Sequence, residues 1–179
     1  MNLDIPRLSD EQALHLALKE AEKGLGFVEP NPPVGCVILD RNQQLLAKGY
    51  HRGFGLPHAE VEALEKVSDW RSLEGATVYV TLEPCSHHGK TPPCAQELAR
   101  FPLKKVVYAI EDPNPKVQGR GHSILQKAGI QVESWSGDTR DFARLVEVFL
   151  WNMKHKQTFI ALKLATSLDG YIGLKSGDR

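Results

Sequence analysis

The sequence has no charge excess of either sign and no long apolar run. Its 179 residues include 22 basic and 22 acidic side chains, so the formal net charge is 0. Proteins dedicated to nucleic-acid binding usually carry a basic excess, so the neutral balance disfavours that class. No apolar run approaches the roughly 18 residues that a membrane span requires. We therefore expect neither a nucleic acid nor a membrane as a partner.

Cysteines are also few. There are three, so they cannot all pair in disulfides. Residues 1–7 lack the basic start and apolar stretch of a secretory signal peptide. We therefore expect a cytoplasmic protein whose thiols are free or bound to metal. The proportions of 41% apolar and 25% charged residues are typical of globular proteins, and the length suits one domain, or one domain with part of another.

The hydrophobic pattern predicts strands that alternate with helices. Ser9 with Gln12 forms a capping box that begins the first helix. Apolar runs bounded by turn residues predict strands over 34–39, 45–50, 76–82, 105–110 and 130–133. Helical spacing or helix-start signals predict helices over 57–67, 93–100, 121–128 and from 138 to about 153. The first two strands read as a hairpin. The order indicates an α/β domain with a mostly parallel sheet and helices on both faces.

The last part of the chain fits this domain poorly. Apolar residues from Phe142 to Met153 fall at helical spacing and predict one helix whose stripe packs on the sheet. Residues 158–164 read as one more strand, and glycines follow at 170, 173 and 177. We therefore predict a domain boundary near residue 154, with residues 155–179 forming a linker and the first strand of a second domain whose remainder is missing.

One histidine, one glutamate and two cysteines form the most informative pattern. His58 and Glu60 are two residues apart, and Cys85 and Cys94 follow. An imidazole and two thiolates are good zinc ligands, and three protein ligands leave one position for water, as in catalytic sites. Residues i and i+2 of a helix point about 200° apart, so both serve one site only at the first turn. Pro57 directly before His58 is consistent with a helix start there.

The pattern predicts hydrolytic deamination. Zinc lowers the pKa of bound water to about 7, and Glu60, which is not a ligand, would carry its proton to a ring nitrogen and then to the leaving amine. His-x-Glu followed by Pro-Cys and a second Cys is the signature of zinc deaminases. A structural zinc is the alternative, and it needs a fourth ligand, for which His87 and His88 are available.

The spacing of the two cysteines departs from the usual deaminase pattern, since eight residues separate them instead of two. The run from Thr81 to Cys94 (TLEPCSHHGKTPPC) closely resembles the deaminase half of the bifunctional riboflavin-biosynthesis deaminase/reductase family. Three further features share this resemblance: PNPPVGCV at 30–37, His51 spaced before His58-Ala59-Glu60, and DPNP at 112–115. The similarity spans about residues 9–150.

The resemblance implies a cytidine-deaminase-like three-layer α/β/α sandwich. It implies that the substrate is 2,5-diamino-6-ribosylamino-4(3H)-pyrimidinone 5′-phosphate, a small phosphorylated pyrimidine nucleotide. Hydrolysis of its 2-amino group would give 5-amino-6-ribosylamino-uracil 5′-phosphate and ammonia. By resemblance, Asn31, His87 and Lys90 contact the substrate. His51, Asp112 and Asn114 line the ribose and phosphate side. His58, Cys85 and Cys94 would hold Zn²⁺ and Glu60 would be catalytic.

The run FIALKLATSLDG at 159–170 resembles the opening of the family's reductase domain. That domain has a dihydrofolate-reductase-like fold and uses NADPH. The chain stops soon after this run, so we expect no NADPH site and no reductase activity in this chain. We expect the deaminase domain to span residues 1–154. The resemblance also implies a homodimer or larger homo-oligomer.

Two other functions remain open from the sequence. The same zinc chemistry would serve a nucleic-acid deaminase, for example one acting on a tRNA adenosine. The neutral charge and the cysteine spacing argue against that function. A non-catalytic zinc module is the other alternative, and a zinc ion with four protein ligands would favour it.

Overall fold

The structure, a computed structural model, describes residues 6–87, 89, 92–113 and 119–172. Within these residues the strands are β1 (Gly35–Leu39), β2 (Leu45–Tyr50), β3 (Thr77–Leu82), β4 (Lys105–Ile110) and β5 (Gln131–Ser134). The α-helices there are α1 (Asp10–Ala21), α2 (Ala59–Glu65), α3 (Cys94–Leu98), α4 (Arg120–Lys127), α5 (Arg140–Leu145) and α6 (Glu147–His155). In the described part of the chain, no helix is both long and apolar enough to cross a membrane.

The strands form one sheet in the order β2-β1-β3-β4-β5. β1 pairs antiparallel with both β2 and β3, whereas β3 with β4 and β4 with β5 are parallel. The described sheet is mixed but mostly parallel, as expected, since β2, β3, β4 and β5 run in one direction and β1 runs in the other. The crossover through α2 does make β2 and β3 run in the same direction. β1 lies between them, however, and turns both contacts into antiparallel pairings.

Helices cover both faces of the sheet, which confirms the predicted three layers. One face of the sheet packs on α1 and on Phe142 of α5. The opposite face packs on α2, α3 and α4 through residues such as Ala63, Leu98 and Leu125. Every residue of β1 and β3 is buried. Burial on both faces explains why these strands are nearly continuous apolar runs, with only the buried Thr77 and Thr81 interrupting β3.

Helix α1 is fastened to the sheet by polar contacts as well as by packing. The predicted capping box is present, since Ser9 and Gln12 exchange hydrogen bonds. The Tyr79 hydroxyl donates to Asp10 at 2.6 Å, and the Lys105 ammonium lies 3.0 Å from the same carboxylate. Burial acts to raise the pKa of Asp10, but these hydrogen bonds outweigh it and lower that pKa.

The C-terminal region differs from the expectation. The predicted single helix breaks at Val146, whose backbone (φ −109°, ψ 19°) separates α5 from α6. Phe142 and Val146 are buried, but no residue of α6 is. The predicted strand over 158–164 is not formed, and the segment is largely exposed. A strand needs a neighbour to satisfy its backbone groups, and the described residues offer this segment none. The predicted domain boundary near 154 stays a prediction.

Candidate active site

Two helix starts and one strand end meet at the same place in the fold. His58 is the N-cap of α2, with an extended backbone (φ −73°, ψ 164°), and Glu60 is the second residue of that helix. Cys94 is the first residue of α3. Cys85 follows the end of β3 at Leu82. The first turn of α2 therefore presents His58 and Glu60 to one site, as predicted.

The imidazole and the two thiols converge. Nδ1 of His58 lies 3.6 Å from Sγ of Cys85 and 3.3 Å from Sγ of Cys94. All three ligand atoms lie within 4.8 Å of one another. One nitrogen and two sulfurs are a donor set that zinc prefers, so these residues fit a zinc ion with three protein ligands. Among the described residues, His58, Cys85 and Cys94 form the one group of His, Cys, Asp or Glu side chains whose ligand atoms lie close enough together to hold a metal ion. Glu60 is outside this group.

The two thiols differ in pKa, since that of Cys85 is lowered and that of Cys94 is raised. The hydrogen bond with the Cys94 thiol is the main cause that lowers the pKa of Cys85, against the effect of burial, and His58 adds to it. The backbone N–H of Cys94 also donates to the Cys85 sulfur, at 3.3 Å. The hydrogen bond with Cys85, together with burial, raises the pKa of Cys94. The hydrogen bond with Cys85 also raises the pKa of His58. The site thus favours a thiolate at Cys85, as a zinc ligand requires.

Glu60 is almost completely buried beside the ligands, with 3% of its surface exposed. Burial, with a smaller contribution from the nearby Cys85, raises its pKa to about 7, while His58 opposes the shift. A carboxyl group in such surroundings holds or releases a proton near neutral pH.

His51 and Asn31 form a hydrogen-bonded pair next to the ligands. Nδ1 of His51 lies 3.0 Å from the carbonyl oxygen of Pro57, and Nε2 lies 3.0 Å from Nδ2 of Asn31. Because a carbonyl only accepts, Nδ1 carries the hydrogen and Nε2 accepts one from Asn31. Burial lowers the pKa of His51, which favours this neutral ring. The pair therefore fixes the orientation of the Asn31 amide.

A cavity of about 540 Å³ opens onto these residues. That volume lies within the range of small-molecule sites. The predicted site residues that line it are Asn31, His51, His58, Glu60, Cys85, His87 and Asp112. The structure thus brings most of the predicted site to one cavity.

Other predicted residues have different outcomes. Lys90 and Asn114 lie outside the described residues, and so does His88. His87 is exposed and lines the cavity, but it does not join the ligand group. Among the described residues no fourth ligand accompanies the three, so a structural zinc site gains no support from them. The individual roles of the site residues stay predictions.

Several cavity residues were missed by the sequence analysis. Phe149 and Met153 of α6 line the cavity, together with Phe54 and Leu56 from the loop before α2. Helical spacing marked the α6 pair only as part of an apolar stripe, which is the same signal that a core helix produces. Glu83 also lines the cavity and is buried. Its position directly before Pro84 and Cys85 was the available signal.

Comparison with known proteins places the chain in a family. The sequence profile of the "Cytidine and deoxycytidylate deaminase zinc-binding region" matches residues 8–110. The riboflavin biosynthesis protein RibD of Escherichia coli (strain K12) is 44% identical over 171 residues, which are 96% of this chain and 46% of that protein.

Two solved structures are also similar. RibD of Acinetobacter baumannii, form 2, has a TM-score of 0.85 and 45% identity, and the match covers 95% of this chain and 47% of that one. The diaminohydroxyphosphoribosylaminopyrimidine deaminase/5-amino-6-(5-phosphoribosylamino)uracil reductase of Thermotoga maritima has a TM-score of 0.86 and 41% identity, over 94% and 48% of the two chains.

These matches confirm the resemblance inferred from the sequence motifs. The chain spans about half the length of the curated relatives it matches. The family profile covers more than half of the chain. The chain therefore belongs to the cytidine and deoxycytidylate deaminase zinc-binding family.

Proposed function

We propose that this chain is a zinc-dependent deaminase that removes the 2-amino group of 2,5-diamino-6-ribosylamino-4(3H)-pyrimidinone 5′-phosphate as ammonia. The observation that carries the proposal is the convergence of His58, Cys85 and Cys94 beside Glu60 at one cavity. The names of relatives at 41–45% identity support the choice of substrate.

The residues of the chain have separate tasks in this reaction. When bound, zinc lowers the pKa of a water molecule to about 7 and so supplies hydroxide at neutral pH. Glu60 lies outside the ligand group, so its carboxylate is available to accept the water proton and pass it to a ring nitrogen. It then returns a proton to the amine that leaves. Asn31, oriented by His51, can donate to or accept from an edge of the pyrimidine.

The phosphate and ribose side of the proposal depends on further residues at the cavity. His87 and Asp112 line it. A phosphorylated substrate needs a cation, and Lys90 is the residue we assign to that role. We extend the proposal to a deaminase domain over 1–154 and a following segment that leads into a reductase domain. A homo-oligomeric assembly and a cytoplasmic location stay predictions.

Ammonia release from the diaminopyrimidine nucleotide by zinc-loaded protein tests the proposal. Wild-type protein should release ammonia, and Glu60→Gln should keep its zinc but lose about 10²- to 10⁴-fold in kcat, the usual worth of a general acid–base group. Glu65→Gln is the matched control, because Glu65 is an exposed carboxylate on the same helix.

A folded, zinc-loaded protein that releases no ammonia from this nucleotide refutes the proposed function. Release of ammonia from a tRNA adenosine instead would favour a nucleic-acid deaminase. Full activity of the Glu60→Gln variant would show that the proton carrier is another group.

A further inference from the structure

A buried carboxylate next to the zinc ligands has no part in the chemistry described so far. Glu83 lies between the end of β3 and Cys85, and only 3% of its surface is exposed. Both of its oxygens accept backbone hydrogen bonds. Oε1 accepts from the N–H of Gly119 at 3.0 Å, and Oε2 accepts from the N–H of Asp112 at 3.4 Å.

These two amides belong to opposite ends of the connection between β4 and α4. Asp112 follows β4, which ends at Ile110, and it lines the cavity. Gly119 is the N-cap of α4 and has a left-handed backbone (φ 69°). One carboxylate thus bridges the point where the connection leaves the sheet and the point where it enters the helix.

The backbone around Glu83 makes independent contacts with the same two ends. The N–H of Glu83 donates to the carbonyl oxygen of Ile110 at 2.8 Å. The first turn of α4 approaches Pro84 so closely that a Cβ on Gly121 would collide with the Pro84 carbonyl oxygen. Cys85 is the next residue. The segment that carries a zinc ligand is therefore also the segment against which both ends of the connection are held.

We propose that Glu83 is a positioning residue that holds both ends of the β4–α4 connection against the Cys85 segment and so sets where Asp112 meets the substrate. This inference rests on the proposed function for its effect on substrate binding. It does not rest on that function for its effect on the fold, because the two backbone hydrogen bonds exist without substrate. Loss of the bridge is expected to shift Asp112 relative to the zinc ligands and to leave the ligands themselves in place.

Two substitutions separate geometry from charge. Glu83→Gln keeps the size of the side chain, but its amide nitrogen donates and so cannot accept from either backbone N–H. One of the two bonds must break. Glu83→Asp keeps both acceptor oxygens, but its side chain is one methylene shorter, so the carboxylate cannot reach both amides. A bridge predicts that both variants fail, whereas a purely electrostatic role predicts that aspartate restores the wild-type behaviour.

Substrate kinetics of the zinc-loaded protein give the first test. Both variants should raise KM about twofold to tenfold, the effect of losing about one hydrogen bond to the substrate. Their kcat should stay within about threefold of wild type, since the reacting groups are not moved. Zinc content should be unchanged. Glu20→Gln is the matched control, because Glu20 is a carboxylate with the same 3% exposure that does not line the cavity.

Amide hydrogen exchange, measured by NMR on the zinc-loaded chain without substrate, gives the second test. The Asp112 and Gly119 amides should exchange faster in both Glu83 variants and at the wild-type rate in Glu20→Gln. Wild-type exchange at both amides in the Glu83 variants would overturn the inference, and so would loss of zinc or full rescue by aspartate. If the wild-type protein deaminates nothing, the proposed function fails, and the exchange rates still decide whether Glu83 is a bridge.

Discussion

Replacement of Gly49 by alanine should push helix α2 away from strand β2. A Cβ on Gly49 would lie 2.5 Å from the backbone nitrogen of Ala63 and 2.6 Å from the carbonyl oxygen of Ala59, both in α2. Ordinary contact begins at 3.4 Å, which is 0.9 Å longer than 2.5 Å, so the helix must move by close to 1 Å. Backbone atoms cannot rotate away as a side chain can. Overpacking of this kind costs about 1–3 kcal/mol of unfolding free energy.

Under the proposed function, the same movement should also slow the reaction, because α2 carries Glu60 in its first turn. A displacement of about 1 Å at a reacting group lowers kcat by about a hundredfold. For a chain of this size, the stability loss corresponds to a fall in Tm of about 2–12 °C. The Tm is measured on zinc-loaded protein by thermal unfolding, followed by circular dichroism. The kcat is measured on the same protein from the rate of ammonia release.

Gly53→Ala is the control for this experiment. Its Cβ would meet, at 3.4 Å, the end of the flexible Leu56 side chain, so little has to move. The control should unfold within about 1 °C of wild type, as surface substitutions usually do. If Gly49→Ala also kept its Tm and its kcat, the close packing of α2 on β2 would not position Glu60, and the reasoning would be refuted.

Two further predictions concern the cavity wall and the α1 anchor. Phe149→Ala removes an apolar contact from the cavity and should raise KM about three- to tenfold. Its Tm should change little, because α6 contributes no buried residue. An unchanged KM would show that α6 does not reach the substrate. Asp10→Asn should destabilise the fold by under about 1 kcal/mol at pH 7, since the carboxylate is partly exposed. Because the folded pKa of Asp10 is lowered, its contribution is complete above about pH 4 and is lost as pH falls through the folded pKa. In urea unfolding, the free energies of unfolding of the variant and the wild type should therefore converge as the pH falls. A difference in free energy that grew on acidification would contradict this expectation.

The zinc ligands could be predicted from the sequence because their chemistry is local. His58 and Glu60 are useful together only at a helix start, and a proline before them marked that start. The strand boundaries of β2 and β4 matched the prediction because each apolar run is bounded by turn or charged residues. Pairing direction was not predictable in the same way. It depends on the placement of β1 between β2 and β3, which the order of elements leaves open.

Hydrogen bonds between distant residues also left no pattern in the sequence. Asn31 and His51 were both predicted to meet the substrate, each on its own. The structure shows that both ring nitrogens of His51 already have partners within the chain, Pro57 and Asn31. The role of His51 as a support for Asn31 follows from which atoms donate and accept, and residue type with spacing carries no such information.

The prediction of one continuous helix after residue 138, with its apolar stripe packed on the sheet, was wrong for a related reason. Helical periodicity reports that one side of a helix avoids water, but a protein core and a cavity wall both provide that environment. The chain changes from one to the other at Val146, where the backbone leaves the helical region and α6 turns its Phe149 and Met153 toward the cavity. The catalytic part of the site is therefore encoded by short motifs at helix starts. The part that surrounds the substrate is encoded by tertiary contacts of Glu83, Gly121 and α6, and substitutions there should change KM before they change the metal.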